Sequence, residues 1–207
     1  MTPSQPDMRA IVGDLSERDE RLAEVVRRHP LCTLGQEDST TTHFESLVES
    51  VISQQLSVKA ADTIHGRFRA LAGNEVTPER VAALSDERMR EAGLSGAKGK
   101  TIKGMAQASL EGNVDINRLH EIPDDAVISQ QLTSLWGVGS WTVDMFMMHQ
   151  LGRLDVWPTG DVGVRRGWSK IYGLTESVDQ QTLFVAGEKF RPYRSVVAWY
   201  CWQELDA

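Results

Sequence analysis

Two short segments carry residue types that could hold a polyanion and act on a sugar. Gly137-Val138-Gly139 sets two glycines around one apolar residue. Glycine tolerates positive φ and lets another backbone approach closely, so the pair reads as a reversal between two helices. If the second helix starts near Ser140, its first amides and the positive end of its dipole face one point, where a phosphate would be held. Such a grip holds nucleic acid without reading its sequence. The same residues also suit a plain αα-turn, and the tripeptide alone leaves both uses open. Downstream, Asp161 closes the loop Pro158-Thr159-Gly160 and precedes a helical pattern. An aspartate there serves as an N-cap. A carboxylate fixed in direction by helix amides can also stabilise positive charge on a sugar whose glycosidic bond is breaking. The two roles are compatible.

The elements that must position these residues read as helices nearly throughout. Leu22, Val25 and Val26 predict a helix between Ser16 and Pro30, and Thr42 with Glu45 predicts a capping box ahead of Phe44, Leu47, Val51 and Ile52. Further helices are expected from Val58 to Leu71, after Thr77-Pro78, after Ser85 as far as Gly93, and from Lys98 to Leu110. Asp124 opens the helix that enters the hairpin, and the helix-hairpin-helix should span about residues 126–151. Trp141 to Leu151 is apolar almost all round, which predicts a buried central helix. Val162 to Ile171, Asp179 to Phe190 and Arg194 to Leu205 complete a set of about ten. Strands with period-2 alternation are not evident, so the fold class is all-α. Residues 1–7, with two prolines, are expected to be disordered, and 8–207 to form the working domain.

Composition narrows the function classes. The 207 residues, 41% hydrophobic, suit a globular domain, and no apolar run reaches the ~20 residues of a membrane span. Without a secretory leader the chain is expected to work in the cytoplasm, in contact with the nucleoid through DNA, and not at a membrane. Cys32 and Cys201 lack metal-site spacing and read as core residues. The net charge of −7 argues against binding through a broad cationic surface. The clusters Lys98/Lys100/Lys103 and Arg165/Arg166/Lys170 read as ordinary solvated helix ends.

Gly137-Val138-Gly139-Ser140 followed by the loop ending at Asp161 resembles the helix-hairpin-helix (HhH-GPD) DNA glycosylase superfamily, and within it the 3-methyladenine DNA glycosylase II (AlkA-like) branch. The resemblance spans about Phe44 to Gln203. It implies a helix-hairpin-helix glycosylase fold, two helical subdomains with the active-site cleft between them, and Asp161 as the catalytic aspartate. Ser53-Gln54-Gln55-Leu56-Ser57 resembles the loop that enters the minor groove, with Gln55 as the plug for an extruded nucleotide and Gln54, Leu56 and Ser57 beside it. The same residues read without the family as a polar helix-to-loop segment. Gly93 to Lys98 resembles a second backbone-contacting turn. Arg194 to Trp202 resembles the last helix, which lends an aromatic wall to the base pocket.

Bifunctional members carry a lysine where this chain has Trp141, and a tryptophan cannot form a Schiff base, so the resemblance implies a monofunctional hydrolase. Trp141 and Trp202 suggest an electron-rich pocket for cationic alkylated bases, and Trp157 could line it or belong to the core. Met145 takes a pocket position where the branch places another aromatic. The resemblance further implies double-stranded DNA with alkylated bases as partner, a monomer, no required cofactor, and a sodium or potassium ion at the carbonyls of Thr133, Leu135 and Val138. Two other readings stay open: a bifunctional glycosylase/AP lyase for oxidised bases, and a noncatalytic DNA-binding module.

Overall fold

The computed structural model describes residues 7–35 and 41–206. These residues are helical, with no strand among them. They form two compact units, one of residues 7–35 and 147–206 and the other of 41–146.

The second of these holds α3 (His43–Ser53), α4 (Val58–Leu71), α5 (Pro78–Ala82), α6 (Asp86–Glu91), α7 (Gly96–Leu110), a 3-10 turn (Ile116–Glu121), α8 (Asp125–Thr133) and the start of α9 (Ser140–His149). Its helix starts follow the sequence closely. Thr42, Ser57, Thr77, Ser85 and Ser95 each cap the following helix through the side-chain oxygen, satisfying one amide that the first turn leaves unpaired. The capping box at α3 forms only half. Thr42 accepts the Glu45 N–H at 3.1 Å, but the buried Glu45 carboxylate pairs with Arg69 of α4 at 3.1 Å instead of returning to the cap. The core is the expected apolar face, with Phe44, Leu47, Val51 and Ile52 of α3 all fully buried, joined by Phe68, Ile102 and Phe146.

The other unit holds α1 (Met8–Arg18), α2 (Glu20–Arg28), the remainder of α9, α10 (Val162–Tyr172), α11 (Gln180–Gly187), a 3-10 turn (Glu188–Phe190) and α12 (Arg194–Asp206). Two expectations change here. The helix expected between Ser16 and Pro30 is α2, which Asp19 caps by accepting the Leu22 N–H at 2.9 Å, whereas α1 ahead of it was not expected. The other Asp19 oxygen takes the Tyr172 hydroxyl at 3.0 Å and the Lys189 ammonium, partners that no local pattern announces. Asp7, expected to be disordered, caps α1 through the Ala10 N–H at 3.2 Å; residues 1–6 of that expectation lie outside the described residues.

Inside this unit α10 and α12 approach until backbone meets backbone. A Cβ on Gly167 would lie 2.0 Å from the Cys201 carbonyl oxygen, so only glycine permits the crossing. Cys32 and Cys201 are buried free thiols, as expected of core residues, and burial pushes Cys32 up to about 12. No helix among the described residues is long and apolar enough to cross a membrane.

Candidate functional site

In the unit of residues 7–35 and 147–206, the chemistry gathers around Asp161. Its Oδ1 accepts the Val164 N–H at 2.7 Å, making it the N-cap of α10, and also accepts the Trp202 indole N–H at 2.9 Å. Two donors on one oxygen hold the half-buried carboxylate in a single direction. The loop before it is tied down at several points. Trp157 donates its indole N–H to the Leu183 carbonyl at 2.9 Å, and the Asp161 N–H returns to the Pro158 carbonyl at 2.9 Å. Ser195, fully buried, accepts the Val156 N–H at 2.9 Å and donates to the Arg153 carbonyl at 2.8 Å. Arg194 clasps Asp155 at 2.7 Å.

Trp157 is therefore an anchor of this loop, buried against Trp168 and Gly187, and the expectation that it lines a base pocket is corrected. Its ring is spent on core packing and its N–H on a backbone carbonyl. Trp202, expected as an aromatic wall of the base pocket, is half-buried, and its indole lies against Asp161. His149 stacks on Trp202 with ring centroids 5.8 Å apart, extending the aromatic surface with an exposed imidazole that the sequence reading did not single out.

In the unit of residues 41–146, the hairpin and the Gln55 loop meet. Gln54, Gln55, Gly137, Gly139, Trp141 and Thr142 line one open hollow of about 440 Å³. Gln54 donates its side-chain amide to the Thr142 hydroxyl at 2.8 Å and to the Gly137 carbonyl at 3.3 Å. The Lys98 ammonium donates to the carbonyls of Ile52 and Gln54, each at 2.8 Å, and so caps the C-terminus of α3. Burial lowers the pKa of this lysine. Gln54 thus fastens the loop to the hairpin and Lys98 fastens it to α7, so both position the Gln55 turn. The clasp leaves Gln55 projecting at the tip, exposed, with φ of +58°. Leu56 beside it is 39% exposed, and Ser57 caps α4.

Within the hairpin Gly137 has φ of +80°, and a Cβ there would stand 2.0 Å from the Thr101 hydroxyl oxygen of α7. Gly139 has nothing within 4 Å of its missing Cβ, so open space lies beside its backbone. Val138 points inward at 5% exposure, so only its main chain can meet a ligand. Ser140, exposed, opens α9; Met145 on that helix is half-buried. Of the three carbonyls expected to hold a monovalent ion, that of Leu135 accepts the Val138 N–H at 3.1 Å and keeps one lone pair. Hard carbonyl oxygens suit sodium or potassium. Among the described residues no group of three or more His, Cys, Asp or Glu side chains could hold a metal.

A family model described as HhH-GPD superfamily base excision DNA repair protein matches residues 48–192, covering hairpin, loop and Asp161 alike. The chain belongs to the HhH-GPD superfamily. The DNA-3-methyladenine glycosylase 1 of Schizosaccharomyces pombe is 32% identical over 162 residues, covering 77% of this chain and 71% of that protein. The solved structure of the Schizosaccharomyces pombe 3-methyladenine DNA glycosylase in complex with abasic DNA superposes with a TM-score of 0.84 at 28% identity, over 94% of this chain and 95% of that one. A DNA-3-methyladenine glycosidase from Bacillus halodurans gives 0.78 at 35% identity, over 98% and 90%.

This HhH-GPD chain uses residues that the sequence reading missed. Gly163 leaves room for the Trp202–Asp161 contact, since a Cβ there would fall 2.9 Å from Trp202 Cδ1 and 3.0 Å from Asp161 Oδ1. The spacing of Gly163 and Gly167, one helical turn apart, was a legible signal of a close helix crossing. Thr101, Thr142 and Ser195 carried no such signal. Each is an ordinary hydroxyl until the tertiary fold supplies its partner.

Proposed function

We propose that the chain is a monofunctional DNA glycosylase that flips and hydrolyses alkylated bases out of double-stranded DNA, opening base excision repair. The observation that carries this reading is Asp161, held by the Val164 amide and the Trp202 indole. The names of the relatives support the substrate class. Trp141, standing where a lyase of this superfamily needs an amine nucleophile, supports hydrolysis over strand scission.

The hairpin amides around Gly139 take a backbone phosphate, and Gln55 enters the minor groove as the damaged nucleotide leaves the stack. Unstacking costs a few kcal/mol, least for a weakened pair. A base made cationic by alkylation stacks on the electron-rich Trp202 face. Trp141 lines the hollow beside the Gln55 loop. The N-glycosidic bond then breaks with its electron pair staying on the base, which leaves neutral. Asp161 stabilises the positive charge that develops at C1′ and directs a water to that carbon; the water keeps its oxygen there and loses a proton to solvent. The products are a free base and an intact abasic strand. Water is the sole co-reactant of this scheme. A monovalent ion at Thr133, Leu135 and Val138 would add positive charge beside the bound phosphate. The chain acts as a monomer on nucleoid DNA in the cytoplasm.

The test is a panel of duplexes, each with one defined alkylated base, incubated with the protein and analysed with and without hot alkali. The reading expects cleavage only after alkali. Nicks without alkali, together with borohydride trapping of a covalent adduct, would make it a lyase. Binding without any base release would make it a noncatalytic module.

A further inference from the structure

One large aromatic beside the hairpin takes no part in the mechanism above. Trp136 immediately precedes Gly137, and it is 56% exposed. The Lys100 ammonium sits over its ring, 4.2 Å from the centroid. Lys100 lies on α7 next to Thr101, the residue against which Gly137 is packed, so the seat of the hairpin on α7 fixes this pair. A neighbouring hollow of about 390 Å³ is lined by Ala82, Lys100, Lys103, Gly104, Gln107 and Trp136. Within it Lys103 is neutralised by Asp86, whose carboxyl it holds below the usual range. Lys100 makes no ion pair among the described residues, and its carbon stem and charge are steadied by the indole face.

A chain of net charge −7 that keeps one uncompensated cation over an exposed tryptophan, next to a phosphate-binding turn, has built a local exception to its own field. We propose that Lys100, held by Trp136, contacts a second phosphate of the strand gripped at Gly139, extending the footprint on DNA along the backbone. The proposal rests on the DNA-binding reading of the hairpin. The ring acts as a positioning residue, and Lys100 supplies the charge.

The experiment measures affinity of the full chain for a fluorescein-labelled duplex with one tetrahydrofuran abasic analogue, and for the same duplex undamaged, across a salt series. Lys100→Ala and Trp136→Leu should each weaken both duplexes alike, by about 3–10-fold, and should each reduce the slope of log K against log salt by about one. Lys100→Arg should recover most of the affinity. The double variant should lose no more than the Lys100→Ala variant, because the ring works through the lysine. Unchanged affinity and slope in both single variants would overturn the proposal, as would a loss confined to the damaged duplex, which would put the pair at the lesion. Wild-type binding to these duplexes, with base release measured on a third duplex that carries one alkylated base, separates the two failures. If the wild type binds and excises while the variants match it, only this proposal falls.

Discussion

Gln55 holds φ of +58° without being glycine or asparagine, a conformation that costs a side chain about 1–2 kcal/mol. The Lys98 and Gln54 clasps around it pin the turn, so the projecting side chain is there for its reach. Gln55→Gly should therefore leave the melting temperature nearly unchanged, the relief of strain offsetting about 0.5–1 kcal/mol of chain entropy. Excision should nevertheless fall at least tenfold at subsaturating DNA. A variant that melts like the wild type and excises like it would remove the plug from the mechanism. Asp161 was legible in the sequence because an aspartate before a helix needs no distant partner to be recognised. His149 was illegible and Trp157 was left open between pocket and core, because their roles depend on which face of a remote helix arrives beside them.

At the scale of elements the two hairpin glycines differ in kind. Gly137 combines positive φ with the Thr101 hydroxyl at 2.0 Å from an added methyl, so Gly137→Ala should lower stability by about 1–3 kcal/mol. Gly139→Ala meets open space and should melt like the wild type, yet it should weaken binding of damaged and undamaged duplexes alike, since its methyl would occupy the place proposed for the phosphate. Equal destabilisation of the two variants, or normal binding by Gly139→Ala, would contradict the assignment. Helix starts were readable from Thr42, Thr77, Ser85 and Asp124 because caps are local chemistry. Helix α1 was not, because its cap, Asp7, falls in the proline-bearing segment expected to be disordered.

Across the whole molecule, acid should loosen the unit that carries Asp161. Burial disfavours the Asp19 carboxylate, but bonds from Lys189, the Leu22 amide and Tyr172 outweigh it and hold its pKa below 3.8. A depressed folded value means that the native state favours the ionised form. The resulting stability is present above the unfolded value and is lost as pH falls through the folded one. Melting temperatures should thus drop on acidification below about pH 4, and Asp19→Asn, which keeps the cap, should flatten that drop. Parallel curves for variant and wild type would deny the network its role. The net charge of −7 remains the feature least expected of a DNA-binding chain. In the proposed reading, helix amides at the hairpin and Lys100 stand in for a cationic surface.

The most direct measurement is single-turnover release of an alkylated base by Asp161→Asn. Asparagine can still cap α10 and still accept the Trp202 N–H, so damaged-duplex binding should persist while the rate falls by roughly 10²–10⁴-fold. Near-normal release by that variant would mean that the carboxylate charge is not what breaks the glycosidic bond.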